Sequence, residues 1–341
     1  MLARFAVDIK LLSVSKDQVR DDDSLGSRHR RLCKAWRDLG VLVHAAGLSE
    51  RELLVAIRNL PDGVRPFWDA AWQAGRRRSM RVPWNGVGEP PQPERVRALS
   101  DVVDLVCLED GSVKSIRDAL EVGGKVHGPE VCGISSVDMS RTFEQAHRRA
   151  EDRIRAGTAS ADVWEERFKE AAVCARTMRI VDRYAVQDLL SGRGGRKGVE
   201  NLIRWLSRDA PETAVELYSA KSTGRDGKAP RHSAIQLLGE IRSVLARERS
   251  AVVGSPVFVY LTVDRLFSER QHDRYFRFDD QSVAEVGIGC EILGGERVER
   301  SSSFSFKSLG SLSGYRDEMR KWEEDARRDR DTTCLRWPMA P

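Results

Sequence analysis

The chain has 341 residues, more than one domain of ~100–200 residues usually holds, so two domains are expected. Hydrophobic residues make up 40% and charged residues 32%, which excludes a mostly disordered chain. The formal charge of +5 is too mild to indicate nucleic-acid binding by itself, and no run approaches the ~18 apolar residues that cross a bilayer. The opening Met1-Leu2-Ala3-Arg4-Phe5-Ala6-Val7-Asp8 lacks the pattern of a signal peptide, so a cytoplasmic location is expected. Six scattered cysteines without a C-x-x-C pair read as buried free thiols.

Residues 5–12 form a short apolar run, read as a first buried strand. Residues 28–46 read as a helix followed by a strand. Ser49 with Glu52 has the spacing of a capping box, opening a helix with apolar Leu53, Ile57 and Leu60. Arg76-Arg77-Arg78-Ser79-Met80-Arg81 is a basic run beside Trp84. As a charged loop it is solvated; as a nucleic-acid contact it would track phosphates while the indole stacks a base. Four prolines and two glycines make 82–93 a loop. Residues 102–108 and 131–134 read as further strands, giving an α/β domain over 1–140. Asp8 and Asp104 close or interrupt strands, where carboxylates can hold Mg²⁺ for phosphodiester cleavage. Asp101 and Glu109-Asp110 read as turn residues.

Residues 141–177 carry two amphipathic helices split near Gly157, a connector or the start of the second domain. From 178 to 341 the order is β-α-β-α-β-β-β-β-α, a mixed sheet flanked by helices. Gly192-Arg193-Gly194-Gly195-Arg196-Lys197-Gly198 precedes a helix. Its amide N–H groups and the cations Arg193, Arg196 and Lys197 could take a phosphate, or form an exposed basic loop. His272-Asp273-Arg274-Tyr275-Phe276-Arg277-Phe278-Asp279 puts an imidazole and a guanidinium two residues apart, on one face of a strand. An imidazole can attack phosphorus, a cation neutralises its oxygens, and Asp279 could orient the ring. Gly287 and Gly289 follow, where missing side chains would admit a ligand.

Residues 272–279 resemble the H-x-K-x4-D motif of the phospholipase D superfamily, with Arg274 at the lysine position. Ile180-Val181-Asp182-Arg183-Tyr184, Val199-Glu200-Asn201-Leu202 and His272-Asp273-Arg274-Tyr275 are similar to one branch of it. That branch is the phospholipase D-like domain at the C-terminus of microtubule-interacting and trafficking proteins and bacterial relatives. The resemblance spans about residues 178–310. It implies a metal-independent phosphodiesterase with His272 as nucleophile, Arg274 holding phosphoryl oxygens, and no cofactor. With one motif per chain, two copies of His272 would have to meet in a homodimer. It equally implies a non-catalytic phosphate-binding module within a multi-component assembly. The expected partner is nucleic acid, DNA or RNA, in a bacterial defence or processing system. Val7-Asp8 and Leu12 faintly resemble the opening of PIN-like nucleases, which implies a Mg²⁺-dependent nuclease in the N-terminal half.

Overall fold

The structure is a computed structural model that describes residues 1–45, 50–80, 92–122, 124–186, 198–221, 234–248, 255–268 and 274–338. It is mixed α/β and divides into two compact units, Met1–Arg148 and Arg149–Pro341. No helix among the described residues is long and apolar enough to cross a membrane.

The first unit is built on a parallel sheet. Its strands are β1 (Ala3–Val7), β2 (Gly40–Ala45), β3 (Arg76–Met80), β4 (Leu105–Leu108) and β7 (Glu130–Gly133); β5 (Glu121–Val122) and β6 (Lys125–Val126) pair apart as a small hairpin. The spatial order is β3-β2-β1-β4-β7. The chain therefore winds outward one way from β1, returns, and winds the other way from β4. Helix Leu25–Leu39 buries Leu32, Trp36 and Leu39, spaced three and four apart, as an amphipathic helix must. The Trp36 and Trp68 rings lie 6.1 Å apart, and the Trp68 indole N–H donates to His29 Nδ1 at 3.0 Å. These aromatic residues pack, as their helical spacing suggests.

Two elements differ from the sequence expectation. The run 5–12 stops being a strand at Asp8, because the Asp8 carboxylate accepts the Lys10 N–H at 3.0 Å and caps a 3₁₀ turn over Ile9–Leu12. The arginine run 76–80 is an edge strand, not a loop. Its apolar content is low, but parallel pairing with β2, Val41↔Arg76 to Ala45↔Met80, satisfies its backbone. Ser49 and the 81–91 stretch lie outside the described residues.

The second unit carries a seven-stranded mixed sheet of order β13-β12-β11-β8-β9-β10-β14. Its strands are β8 (Thr177–Asp182), β9 (Ala214–Ala220), β10 (Val257–Thr262), β11 (Arg274–Phe278), β12 (Ser282–Val286), β13 (Phe304–Ser308) and β14 (Thr333–Trp337). The centre, β8-β9-β10, is parallel; every flanking pair is antiparallel. β14 is an addition to the predicted elements. It closes the β10 edge with five residues of which only Leu335 is buried.

Alternation along β11 splits its side chains between two cores. Tyr275 joins Val181, Tyr218, Val283, Met319 and Trp322 beneath helix Ser313–Arg328. Phe276 faces the other side and meets Phe168 at 5.0 Å. Phe168 belongs to the 149–177 stretch, which is part of this unit; Ile154 also pairs with Ser302.

Beneath helix Ser313–Arg328 sits a buried ion pair. Arg277 is 1% exposed and Glu323 0%. The Arg277 guanidinium grips Glu323 through Nε at 2.9 Å and through Nη2. The Tyr275 hydroxyl adds a hydrogen bond at 3.3 Å, and Arg179 Nε lies 3.5 Å from the same carboxylate. Asp280 also pairs with Arg277, but removing either Arg277 or Glu323 would leave the other buried charge without its principal partner. Glu323→Gln and Arg277→Met are each expected to cost about 3–5 kcal/mol in urea unfolding, and the double variant less than the sum, as coupled neighbours do.

Candidate functional site

Open sheets with parallel strands hold ligands beyond their carboxyl ends. In the second unit the carboxyl ends of β8, β9 and β10 lie side by side. The first residue of antiparallel β11 reaches the same rim, because Arg274 pairs directly with Asp182. Asp182 is 1% exposed. Its carboxylate accepts the Tyr184 N–H at 2.9 Å and the Cys290 N–H at 2.6 Å. Burial pushes its pKa upward, against the opposing pull of those two N–H groups and the Arg274 charge.

Arg274 spans the rim. Its Nη1 donates to the Gly287 carbonyl at 2.6 Å, its Nε stands 3.9 Å from the Asp182 carboxylate, and the guanidinium lies 4.9 Å over the Tyr184 ring. Arg183 approaches the same ring at 5.5 Å while its Nε donates to Asp264 at 2.8 Å. Tyr184 thus has two guanidinium groups against its face or edge. The arrangement fixes a planar cation at the carboxyl end of β8, partly open to solvent, with a buried carboxylate behind it.

The predicted site residues divide as follows. Arg274 stands at this rim. His272, Arg193, Arg196 and Lys197 lie outside the described residues. Asp279 is at the opposite end of β11, about 16 Å from Arg274 for five extended residues. Its carboxylate holds the N–H groups of Arg176 and Thr177 at 3.0 and 2.9 Å, and its backbone turns at φ +48°. It builds the β11–β12 corner. Gly287 and Gly289 are at the rim, but the space they leave is filled by the protein. A Cβ on Gly289 would fall 2.1 Å from Asp182 Oδ2, and one on Gly287 would fall 2.5 Å from Ser303 Oγ. Gly289 also has φ +64°. Asp182 and Tyr184, which belong to the run that carries the family resemblance but were given no role by it, also stand at this rim. Their signal was an acid closing the apolar run of β8, an expensive place for a charge unless it has a task.

In the first unit the described residues of the basic run, 76–80, do not form a cationic track. Arg76 is 2% exposed, with its guanidinium near the Arg37 carbonyl and its own carbonyl accepting the Trp36 indole N–H at 2.8 Å. The Arg77 guanidinium stacks 4.2 Å over Trp72 and donates to its carbonyl. Arg78 is half-buried, and Arg81 lies outside the described residues. Strand alternation and packing consume this charge, which the sequence alone could not distinguish from a solvated run.

The expected pair Asp8 and Asp104 is separated by the length of the strands. Parallel pairing of Phe5 with Leu105 and Val7 with Cys107 sets them at opposite ends of the sheet. Asp104 closes the amino end, accepting the Arg4 N–H at 2.9 Å and its Nη2 at 2.7 Å. Asp8 is at the carboxyl end, where β1 and β4 diverge, and is 2% exposed. Its Oδ2 is buried with no hydrogen-bond partner among the described residues. Burial raises its pKa, with the Glu109 charge adding to the effect. The residues read as turn formers, Glu109 and Asp110, follow β4 on this rim. Asp110 accepts the Ser135 hydroxyl at 2.8 Å and stands 3.5 Å from Arg28.

Gly289→Ala would combine left-handed strain with loss of the Asp182 seat. It is expected to lower stability by at least about 1–3 kcal/mol in chemical denaturation, whereas Gly111→Ala, whose Cβ meets nothing within 4 Å, should not.

No protein-family model matches the sequence, and no curated protein is significantly similar to it, so the chemistry of these two rims carries the functional reading.

Proposed function

We propose that the second unit is a phospholipase D-like module that binds a phosphodiester of nucleic acid at the carboxyl end of β8. What supports this reading above all is Arg274: a guanidinium fixed between the Gly287 carbonyl and the Tyr184 ring, and not neutralised at hydrogen-bond distance by Asp182. A guanidinium held in plane suits phosphate oxygens, which supports recognition of a phosphodiester. Tyr184 offers a face or edge for a neighbouring base. Single-stranded DNA and RNA binding by the full chain tests this. Arg274→Gln is expected to weaken binding about tenfold and flatten its salt dependence. His272→Ala should still bind, and neither DNA nor RNA should be cut. Cleavage that survives EDTA and disappears in His272→Ala would replace recognition with the catalytic reading.

A second reading concerns the first unit, and the buried, unpartnered Oδ2 of Asp8 favours it. It is a Mg²⁺-dependent, PIN-like nuclease site at the point where the sheet changes winding direction. Asp8, with Glu109 and Asp110 on the same rim, would hold the ion. Among the described residues no three acidic, His or Cys side chains converge as a ready-made cage. Mg²⁺, which keeps much of its water, needs only one or two carboxylates. The ion would supply an activated water and charge neutralisation at phosphorus. Burial raises the folded pKa of the Asp8 carboxylate above the ordinary 3.8. The destabilisation this causes is absent below pH 3.8, grows from there to the folded value and stays full above it. Asp8→Asn should gain on wild type as pH rises from 3.8 toward the folded pKa of Asp8 and keep that advantage above it, and MgCl₂ should raise the melting temperature of wild type alone. Equal responses of the two proteins to MgCl₂ would remove this reading.

A further inference from the structure

The rim at the carboxyl ends of β8 and β9 carries a cation that the motif does not contain. Lys221 follows β9 directly, and its N–H donates to the Thr262 carbonyl at 2.9 Å, so the ladder with β10 runs on through it. Alternation along that ladder decides which side of the sheet it serves. Val181 and Tyr218 are register partners, and both join the core beneath helix Ser313–Arg328. Their successors Asp182 and Ser219 project to the opposite side, as does Arg274, the partner of Asp182. Lys221 stands two residues beyond Ser219 and so shares that side.

The charges of this rim do not cancel. Arg183 is matched by Asp264 at 2.8 Å, and Arg265 by Asp329 at 2.9 Å. Asp182 is buried, held by two backbone N–H groups, with Arg274 as its counter-charge. Lys221 is the remaining charge. It is partly exposed, and its ammonium meets no carboxylate and no hydrogen-bond acceptor among the described residues. An ammonium on a flexible stem, with water as its only company, is a ready phosphate ligand. Arg274 and Lys221 leave the sheet two strands and two residues apart, about 12 Å between Cα atoms. Arg274 is held in place by the Gly287 carbonyl and the Tyr184 ring, so it does not swing toward Lys221. The two cations therefore suit separate phosphates of one strand.

We propose that Lys221 takes the phosphate next to the one on Arg274, an inference that rests on the phosphodiester reading given above. The rim then selects a stretch of strand with at least two successive phosphates over a free mononucleotide. The test is fluorescence anisotropy of the full chain with labelled single-stranded oligothymidylate and oligouridylate. Lys221→Met should weaken binding about fivefold and reduce the slope of log affinity against log salt by about 0.7, the share of one phosphate on a single strand. Lys221→Arg keeps the charge and should keep the slope. A 5′-phosphorylated dinucleotide should compete at least about tenfold better than the matching mononucleotide, and Lys221→Met should bring that ratio close to one. Lys221→Met with wild-type affinity and slope, while Arg274→Gln binds weakly, would overturn the inference and leave the phosphodiester reading standing. Equal competition by dinucleotide and mononucleotide against wild type would do the same. No binding of either oligonucleotide by wild type, or wild-type binding by Arg274→Gln, would remove that reading and this inference together.

Discussion

The second unit depends on one buried carboxylate. Asp182 ends β8, and its two oxygens are used by backbone N–H groups from two separate places, the turn at Tyr184 and the turn at Cys290. Buried carboxylates are tolerated when hydrogen bonds replace the lost water. Here the replacement also decides geometry. The 289–290 turn can come this close only because Gly289 has no side chain, and Arg274 is drawn to the same point as a counter-charge. One acid thereby ties three segments distant in sequence to one end of the sheet, and the rim's chemistry follows from that tie.

Much of the architecture could be read from the sequence. Apolar runs of strand length, such as 257–262, and three-four spacing, such as Leu32, Trp36 and Leu39, report burial directly, and burial is what the two-unit α/β fold is made of. β3 and β14 are edge strands held mainly by backbone pairing, which no side-chain pattern announces. Asp8 ended a strand that its apolar neighbours would have continued, because a side-chain cap competed with the ladder.

The site was legible only in part, for a related reason. Arg274 was found because it occupies a motif. Asp279 belonged to the same eight residues, yet a strand turns motif spacing into distance, and it ended at the far corner of the sheet. Gly287 and Gly289 suggested room for a ligand, but glycine signals only that something comes close, and here that something is the chain itself. The arginines at 76–78 show the same ambiguity for charge: composition counts cations, and packing decides which of them solvent can see.

The Arg277–Glu323 pair constrains how β11 may be laid down. Arg274 and Arg277 differ in parity along the strand and so project to opposite sides of the sheet. If β11 slid by one residue against β8, Arg277 would be thrust among Phe168 and Phe304, far from its acid, and Arg274 would enter the hydrocarbon beneath Trp322. Two charges on one short strand thus act as a proofreading device during assembly: a slipped alignment strands both cations in oil and is rejected.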